Sequence, residues 1–588
     1  MNSIKRLFLL VAFLPLLTLG QDKDRPKANW QNLDLQQDGV FGISTEKAYK
    51  ELLKEKKGRT VVVAVIDGGV DVRHEDLQGV MWSNPNEIQS NGIDEDKNGY
   101  ADDVHGWNFL GSAKGSVHYD NLEVVRLIKT YQDKYASVVN STPLTAQERK
   151  EFNLYKKLVT DYMEKLANAK MGYDNVSILH RTVDSIVSHI GKKEPSLHDF
   201  EHYNPRNEYE SKSLKIVKSE LKKEGDYKKF KEELDESYQY YMVQVKYNLN
   251  MDFNSRDTVG DDYTNRYQHY YGNADVTGPD PMHGTHVAGI IAADRTNRIG
   301  VQGVATNVRI MSVRAVPDGD ERDKDVANAI RYAVDNGAKV INMSFGKSYS
   351  WDKKLVDSAV KYAASKDVLI VHAAGNDGKN TDFENNFPTR IFEDSTNANY
   401  WGMNRRLSVV PGRPGSSPGY GYGAYGMPSG PRSNAALKAE PDTAKLKLPQ
   451  AQNWIEVGAS SWKDDIDLVA SFSNYGKRTV DVFAPGVKIY STVPGSKYKE
   501  NDGTSMACPV VAGVAALIRS YYPGLTALQV KDVIMRSVTR VDHKVKVKEN
   551  GESKRVNFTD VCISGGIVNA YHALKLADEV SNRSVSSR

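Results

Sequence analysis

The sequence predicts an α/β fold around a mostly parallel sheet, and three observations carry that prediction. Residues 61–66 (VVVAVI) form an unbroken β-branched and apolar run, the pattern of a strand buried on both faces. Residues 367–377 (DVLIVHAAGND) repeat it, an apolar strand running into Ala373, Ala374, Gly375 and Asn376. Residues 284–293 and 506–518 are small and apolar, suited to closely packed buried helices, and each stretch follows a polar residue, His283 or Ser505. Asp67 closes the first strand at its carboxyl end, where open α/β sheets carry their functional groups.

Asp67, His283 and Ser505, in that chain order, match one of the arrangements of the serine-protease triad. A serine hydroxyl is a poor nucleophile at neutral pH. An imidazole must take its proton, and a buried carboxylate must fix the imidazole's tautomer and stabilise its charged form. Pro509 falls near the first turn of the helix after Ser505, where a missing N–H costs little. The partly positive N–H groups at that helix start favour an oxyanion beside the hydroxyl. Alone, Asp67 reads equally as a strand-end aspartate and Ser505 as an N-cap. His283 and His286 could be half of a metal site, although no third ligand is near in sequence. His286 is otherwise a structural histidine.

The segments VVVAVIDGGVD, MHGTHVAGI and GTSMACPVVAG resemble those of the subtilases, the subtilisin-like serine proteases, and the resemblance covers most of the chain outside two insertions. It implies a subtilisin-like, doubly wound, mostly parallel sheet flanked by helices over residues 61–578. Asp67 becomes the orienting carboxylate, His283 the general base and acid, and Ser505 the nucleophile. Asn376 becomes a donor to the oxyanion together with the Ser505 backbone N–H. KVINMSFG at 339–346 resembles the edge strand that pairs with an extended substrate. Ser344, Phe345 and Gly346 are therefore expected to line the cleft, with Ala374 and Gly375 in the same substrate-binding set. Residues 470–486 resemble the scaffold strand and turn before the serine helix, and 564–577 the closing helix, followed by a polar tail over 579–588.

The loop at 91–109 carries a metal signal. Asp94, Asp96, Asn98 and Asp102 stand at positions one, three, five and nine of a calcium-type loop, with Gly99 at the turn and the Tyr100 carbonyl at position seven. Position twelve is His105, so the bidentate glutamate of an EF-hand is absent, and Asp103 is available for the remaining oxygens. Similar loops in some subtilases bind calcium, which the resemblance extends to this chain; the alternative is an acidic solvated turn. Hard oxygen ligands favour Ca2+ over zinc.

Composition and leader agree with an exported enzyme. The chain has 588 residues, a formal net charge of +3 and 40% hydrophobic residues, enough for a large core and too near neutrality to suggest a nucleic-acid partner. Lys5 and Arg6 precede an apolar run at 7–19, and Thr18 and Gly20 suit a cut before Gln21, the pattern of a secretory signal at 1–20. The run is too short for a membrane span, and Gln21 stands where a lipoprotein needs cysteine. Secretion or a periplasmic location is expected, with an N-terminal arm over 21–60, a helix at 45–54, and no room for the usual pro-domain. Cys508 and Cys562 are the only cysteines, so no disulfide network is possible; whether the two pair stays open.

Two insertions depart from the family pattern. His283 lies 216 residues after Asp67, and most of the excess falls at 111–275, where 121–139, 144–171, 176–190 and 227–249 show helical spacing of apolar residues. This helical subdomain is expected near the active site as a lid, a substrate gate, an inhibitor or a stabilising decoration. The second insertion, 379–453, contains the Gly/Pro/Tyr-rich stretch 411–431, expected as an exposed mobile loop. Asn386 falls where compact relatives approach the floor of the first specificity pocket. Asp318, Asp320, Glu321 and Asp323 form an acidic cluster, either a solvated turn or a preference for basic residues upstream of the cut. The expected function is peptide-bond hydrolysis by a secreted serine endopeptidase through an acyl-enzyme, acting on peptide or protein substrates. The alternatives are a catalytically silent peptide-binding homologue and a restricted processing protease or exopeptidase.

Overall fold

A computed structural model describes residues 25–393, 449–549 and 551–586. The expected leader and the 411–431 stretch lie outside them. Apart from a small hairpin of Gly111–Ser112 and Gly115–Ser116, the strands, in chain order, are β1 (Val61–Asp67), β2 (Gly106–Asn108), β3 (Val308–Arg314), β4 (Val340–Met343), β5 (Leu369–Ala373), β6 (Trp454–Ser460), β7 (Val482–Pro485), β8 (Ile489–Val493), β9 (Lys497–Asn501), β10 (Thr539–Arg540), β11 (Lys544–Glu549), β12 (Glu552–Asn557) and β13 (Gly566–Ile567). Among the described residues a nine-stranded sheet in the order β10-β13-β7-β6-β5-β4-β1-β3-β2 forms the centre. It is parallel except where β10 joins β13. The β-branched runs are buried on both faces, as a sheet covered by helices on both sides requires.

The longer helices are α1 (Glu123–Tyr135), α2 (Ala146–Ile190), α3 (Glu208–Glu224), α4 (Tyr227–Val243), α5 (Met282–Ala292), α6 (Asp323–Asp335), α7 (Lys353–Ser365), α8 (Thr504–Tyr521), α9 (Ala527–Arg536) and α10 (Ala570–Ser586). One core joins α5 and α8 to the Val63, Val65, Val371 and Val457 face of the sheet; the other joins α6 and α7 to the Ala64, Ile66, Ile341 and Ile370 face. The composition of α8 would let it cross a membrane, but 89% of it is buried inside the protein. The N-terminal arm packs Trp30, Val40, Ile43 and Leu53 into the first core. Its helix runs Thr45–Ala48 and continues as a wider turn, Tyr49–Leu53.

Three expectations change. KVINMSFG is not an edge strand: β4 lies between β1 and β5, hydrogen-bonded on both sides, and only residues beyond its carboxyl end can meet a substrate. Residues 564–577 open with β13 before turning into a helix, and α10 runs on through the expected tail to Ser586. The break expected between 171 and 176 is absent, because α2 is one helix of 45 residues. Gly172, in the middle of that helix, is a packing site: a Cβ there would lie 2.2 Å from the Tyr241 ring of α4.

The chain enters and leaves the insertion at a neck, and further pairs such as Arg322–Asp120, Arg256–Asp325 and Lys324–Asp261 hold it to the sheet layer. Asn108 N–H donates to the Asn273 carbonyl and Asn273 N–H to the Asn108 carbonyl, each at 3.0 Å. Beyond the neck, a capping box of Thr145 and Glu148 starts α2, and Gly191, in the left-handed region at φ 72°, ends it. Val183, Ile186, Phe200, Leu214, Val217, Leu221, Phe230 and Leu234 make a separate core at the far end of the insertion. Phe200→Ala should cost about 3–5 kcal/mol there. Calorimetry should show it as a low-temperature transition of the insertion with the main transition unmoved.

Candidate active site

β1 delivers Asp67 and α5 begins one residue before His283, so strand end and helix start face each other. Gly284 permits the approach, since a Cβ there would stand 2.2 Å from the Gly69 carbonyl oxygen. His283 Nδ1 is 2.9 Å from both carboxylate oxygens of Asp67. Asp67 is only 3% exposed and also accepts the Gly68 N–H at 2.8 Å. Burial opposes charging of the imidazole, but the Asp67 carboxylate, its hydrogen bond and the negative charge of Asp280 together raise the His283 pKa above its ordinary value.

Ser505 is the second residue of α8. Its hydroxyl donates to the Ser344 carbonyl at 3.0 Å, and the Ser344 hydroxyl donates back to the Ser505 carbonyl at 3.0 Å. Pro509, four residues on, has no N–H to offer that carbonyl, which leaves it for Ser344. The pair ties the serine helix to the segment leaving β4. Asn376 leaves β5 beside it. Its Oδ1 accepts from the Thr504 N–H at 2.8 Å and the Thr504 hydroxyl at 2.9 Å, and Thr504 Oγ1 accepts the Gly375 N–H at 3.1 Å. With the oxygen held, Nδ2 is turned toward Gly503. Gly375 has φ 100°, and a side chain there would meet Asn474.

Gly346 and Gly375 flank the Asn386 side chain. A Cβ on Gly346 would lie 2.4 Å from Asn386 Oδ1, one on Gly375 would lie 3.4 Å from Asn386 Nδ2, and Nδ2 donates to the Ala373 carbonyl at 3.1 Å. Asn386 therefore closes the space between the two glycines. Phe345 is half-buried and edge-on to His372. Ala374 is buried in the core near Leu468, with its N–H committed to Val457.

His286 is buried with Nε2 3.0 Å from the carbonyls of both Ile489 and Lys499, and burial pushes its pKa down to about 3. It is a neutral pin between α5 and the β8–β9 hairpin. Cys508 and Cys562 are both buried free thiols.

In the acidic loop, Asp96 and Asp103 converge with Glu87, their ligand oxygens all within 4.8 Å of one another. Asp94 accepts the N–H groups of Asn98 and Gly99, the Asn98 side-chain oxygen accepts the Tyr100 N–H, and the Asp102 carboxylate turns back to the N–H groups of Asn91 and Gly92. The Tyr100 ring is buried against Trp107, Phe109 and Tyr332. Burial raises Asp103 to about 6, against hydrogen bonds from Tyr332, Asn84 and Asn98.

The Subtilase family profile matches residues 58–558. The chain belongs to the subtilase family. A thermophilic serine proteinase of Bacillus sp. (strain AK1) is 36% identical over 267 residues, 45% of this chain and 49% of that protein. Thermitase of Thermoactinomyces vulgaris is 34% identical over 294 residues, 50% of this chain and 75% of its own length. Subtilisin DY of Bacillus licheniformis is 32% identical over 260 residues, 44% of this chain and 71% of its own length. The matched part of this subtilase thus spans about half of the first relative.

Sequence reading missed three contributors to the site. Glu87 lies outside the acidic loop, and no local spacing marks it. Thr504 orients Asn376 through contacts that exist only after folding. Asp280 acts on His283 by charge at a distance. Asp318 of the acidic cluster after β3 is exposed, as a solvated turn requires, but the rest of the cluster is neither solvated nor a set of free subsites. Glu321 and Asp323 are buried, Asp323 pairs with Lys347 at 2.8 Å, and the Asp320 carboxylate accepts the Glu123 N–H at 2.7 Å. Titration of His283 by NMR should give a pKa above 6.5 in the native subtilase. Asp280→Asn should move it down, because a negative charge that favours the imidazolium is removed.

Proposed function

We propose that this subtilase is a serine endopeptidase that hydrolyses peptide bonds through an acyl-enzyme on Ser505. The observation that carries the reading is the buried Asp67 carboxylate bonded through both oxygens to His283 Nδ1, with Ser505 held at the start of α8. Asp67 fixes the proton on Nδ1, which leaves Nε2 as the base. The Ser505 hydroxyl leaves its resting bond to the Ser344 carbonyl, passes its proton to Nε2 and attacks the scissile carbonyl. The oxyanion that forms receives the Ser505 backbone N–H and Asn376 Nδ2. The imidazolium then gives its proton to the departing amine, and water, activated by the same imidazole, releases the acid product. The substrate chain adds to the backbone of 344–346, its side chain before the cut reaching toward Asn386. Protein or peptide substrates follow from this chemistry, and export follows from Lys5, Arg6 and the apolar run after them.

A fluorophosphonate should label Ser505, with labelling absent in Ser505→Ala. Peptide hydrolysis should fall about 10^6-fold in that variant and about 10^2–10^3-fold in Asn376→Ala. A folded protein that takes no label overturns the peptidase reading.

Calcium is the cation the acidic loop fits. Three carboxylates converge there with no sulfur or imidazole among them, a hard-oxygen donor set. Glu87, Asp96 and Asp103 would hold the ion, which would relieve their mutual repulsion and stiffen the loop. Calcium at about a hundred times its Kd should stabilise the fold by about 2.7 kcal/mol. A melting temperature that drops in EGTA for the native chain, but not for Asp96→Asn, is the expected result; identical melting with and without calcium overturns the site.

A further inference from the structure

Two contacts, with one lysine charge between them, carry α2 and α4 around the active site. Lys157 Nζ of α2 lies 3.1 Å from the Tyr349 hydroxyl, which also contacts Asp161, and Tyr349 follows Gly346 by three residues. Further along α2, Lys165 is near enough to Asp377, the neighbour of Asn376, to favour its charged form against burial. At the far end, Glu236 of α4 lies 3.6 Å from Lys499 of β9, six residues before Ser505. The two helices run antiparallel, with Gly172 against Tyr241 and His180 2.7 Å from Asp235, so Glu236 is level with the His180 turn. From Asp161 to His180 is about 28 Å of helix. The pair therefore reaches from the segment beyond β4, past the oxyanion loop, to the hairpin that leads into the serine.

Its two ends are fastened differently. The root is α1, which packs on Leu158 and Ala169 of α2: Lys347 joins Glu123 of α1 at 2.9 Å and the Glu321 carbonyl at 2.6 Å, Arg126 of α1 joins Glu123 at 2.5 Å, and all of these side chains are buried. The far contact is open, with Lys499 and Glu236 side chains 50% and 36% exposed. An ion pair so placed contributes little and is screened by salt.

We propose that the α2–α4 pair is a strap across the substrate cleft, fixed at its buried root and latched at Glu236–Lys499, which admits short peptides when closed and a long polypeptide only when the latch parts. The proposal rests on the peptidase reading of the site. Ser505 and His283 are half-buried, so a short peptide reaches them under the closed strap, whereas a long chain enters only when the latch parts.

The test joins Glu236→Cys and Lys499→Cys with a short bismaleimide. The native thiols are buried and their pKa values raised, Cys562 to about 11, so the reagent leaves them alone. Two substrates are compared, a chromogenic tetrapeptide and a reduced, carboxymethylated protein. After linking, tetrapeptide hydrolysis should stay within about twofold of the unlinked enzyme while protein cleavage falls about tenfold or more. Unchanged protein cleavage, loss of both activities, or failure of the reagent to join the two cysteines overturns the strap. Absence of both tetrapeptide hydrolysis and fluorophosphonate labelling in the unlinked enzyme overturns the peptidase reading itself, and the strap's selectivity with it.

Discussion

A carboxylate buried at the end of the central strand cannot hold its charge alone, and the site is organised by that constraint. Taking an ion out of water costs several kcal/mol unless hydrogen bonds and an opposite charge replace the lost solvation. Asp67 receives the Gly68 N–H and the His283 imidazole, and the same bond that satisfies the carboxylate fixes the histidine's tautomer. Stability and chemistry therefore demand one geometry. It is reached because the sheet is parallel: β1, β4 and β5 all end at one edge and release Asp67, Ser344 and Asn376 there together. Gly284 removes the one side chain that would keep α5 from closing on that edge.

Much of this was legible in the sequence because it depends on local pattern. Strands buried on both faces must be apolar throughout, so VVVAVI and VLIVHAA declared themselves, and the small residues after His283 and Ser505 marked helices that sit against a sheet. What escaped depends on distance. β4 read as an edge strand because pairing partners cannot be seen in a single segment. Glu208–Glu224 went unread although Leu214, Val217 and Leu221 have helical spacing, since its many lysines and glutamates dilute the apolar signal. The continuity of α2 through Gly172 likewise depends on a distant partner, the Tyr241 ring of α4, which nothing nearby in sequence announces.

The acidic residues make the same point with charge. Asp318, Asp320, Glu321 and Asp323 are hydrophilic by type, and the default for such a run is a solvated face. Lys347, from the segment after β4, pairs with the Asp323 carboxylate, and Arg126 of the insertion and Lys347 donate to the Asp320 and Glu321 backbone carbonyls, so these contacts exist only in three dimensions. Burial leaves Glu321 with its pKa pushed up to about 8, neutral at pH 7, which removes one negative charge from the cluster.

That burial decides how so long an insertion is carried. Closing a loop costs entropy that rises only slowly with length, and here the cost of closure falls on a neck where Asn108 and Asn273 exchange backbone hydrogen bonds. Past the neck, removing one member of the Glu123–Arg126–Lys347 group would strand a buried charge, so the root cannot loosen a little at a time. The Glu236–Lys499 contact has no such penalty, because water solvates each partner once they separate. Any motion of α2 and α4 relative to the sheet is therefore concentrated at the Glu236–Lys499 end, with the buried root as its pivot.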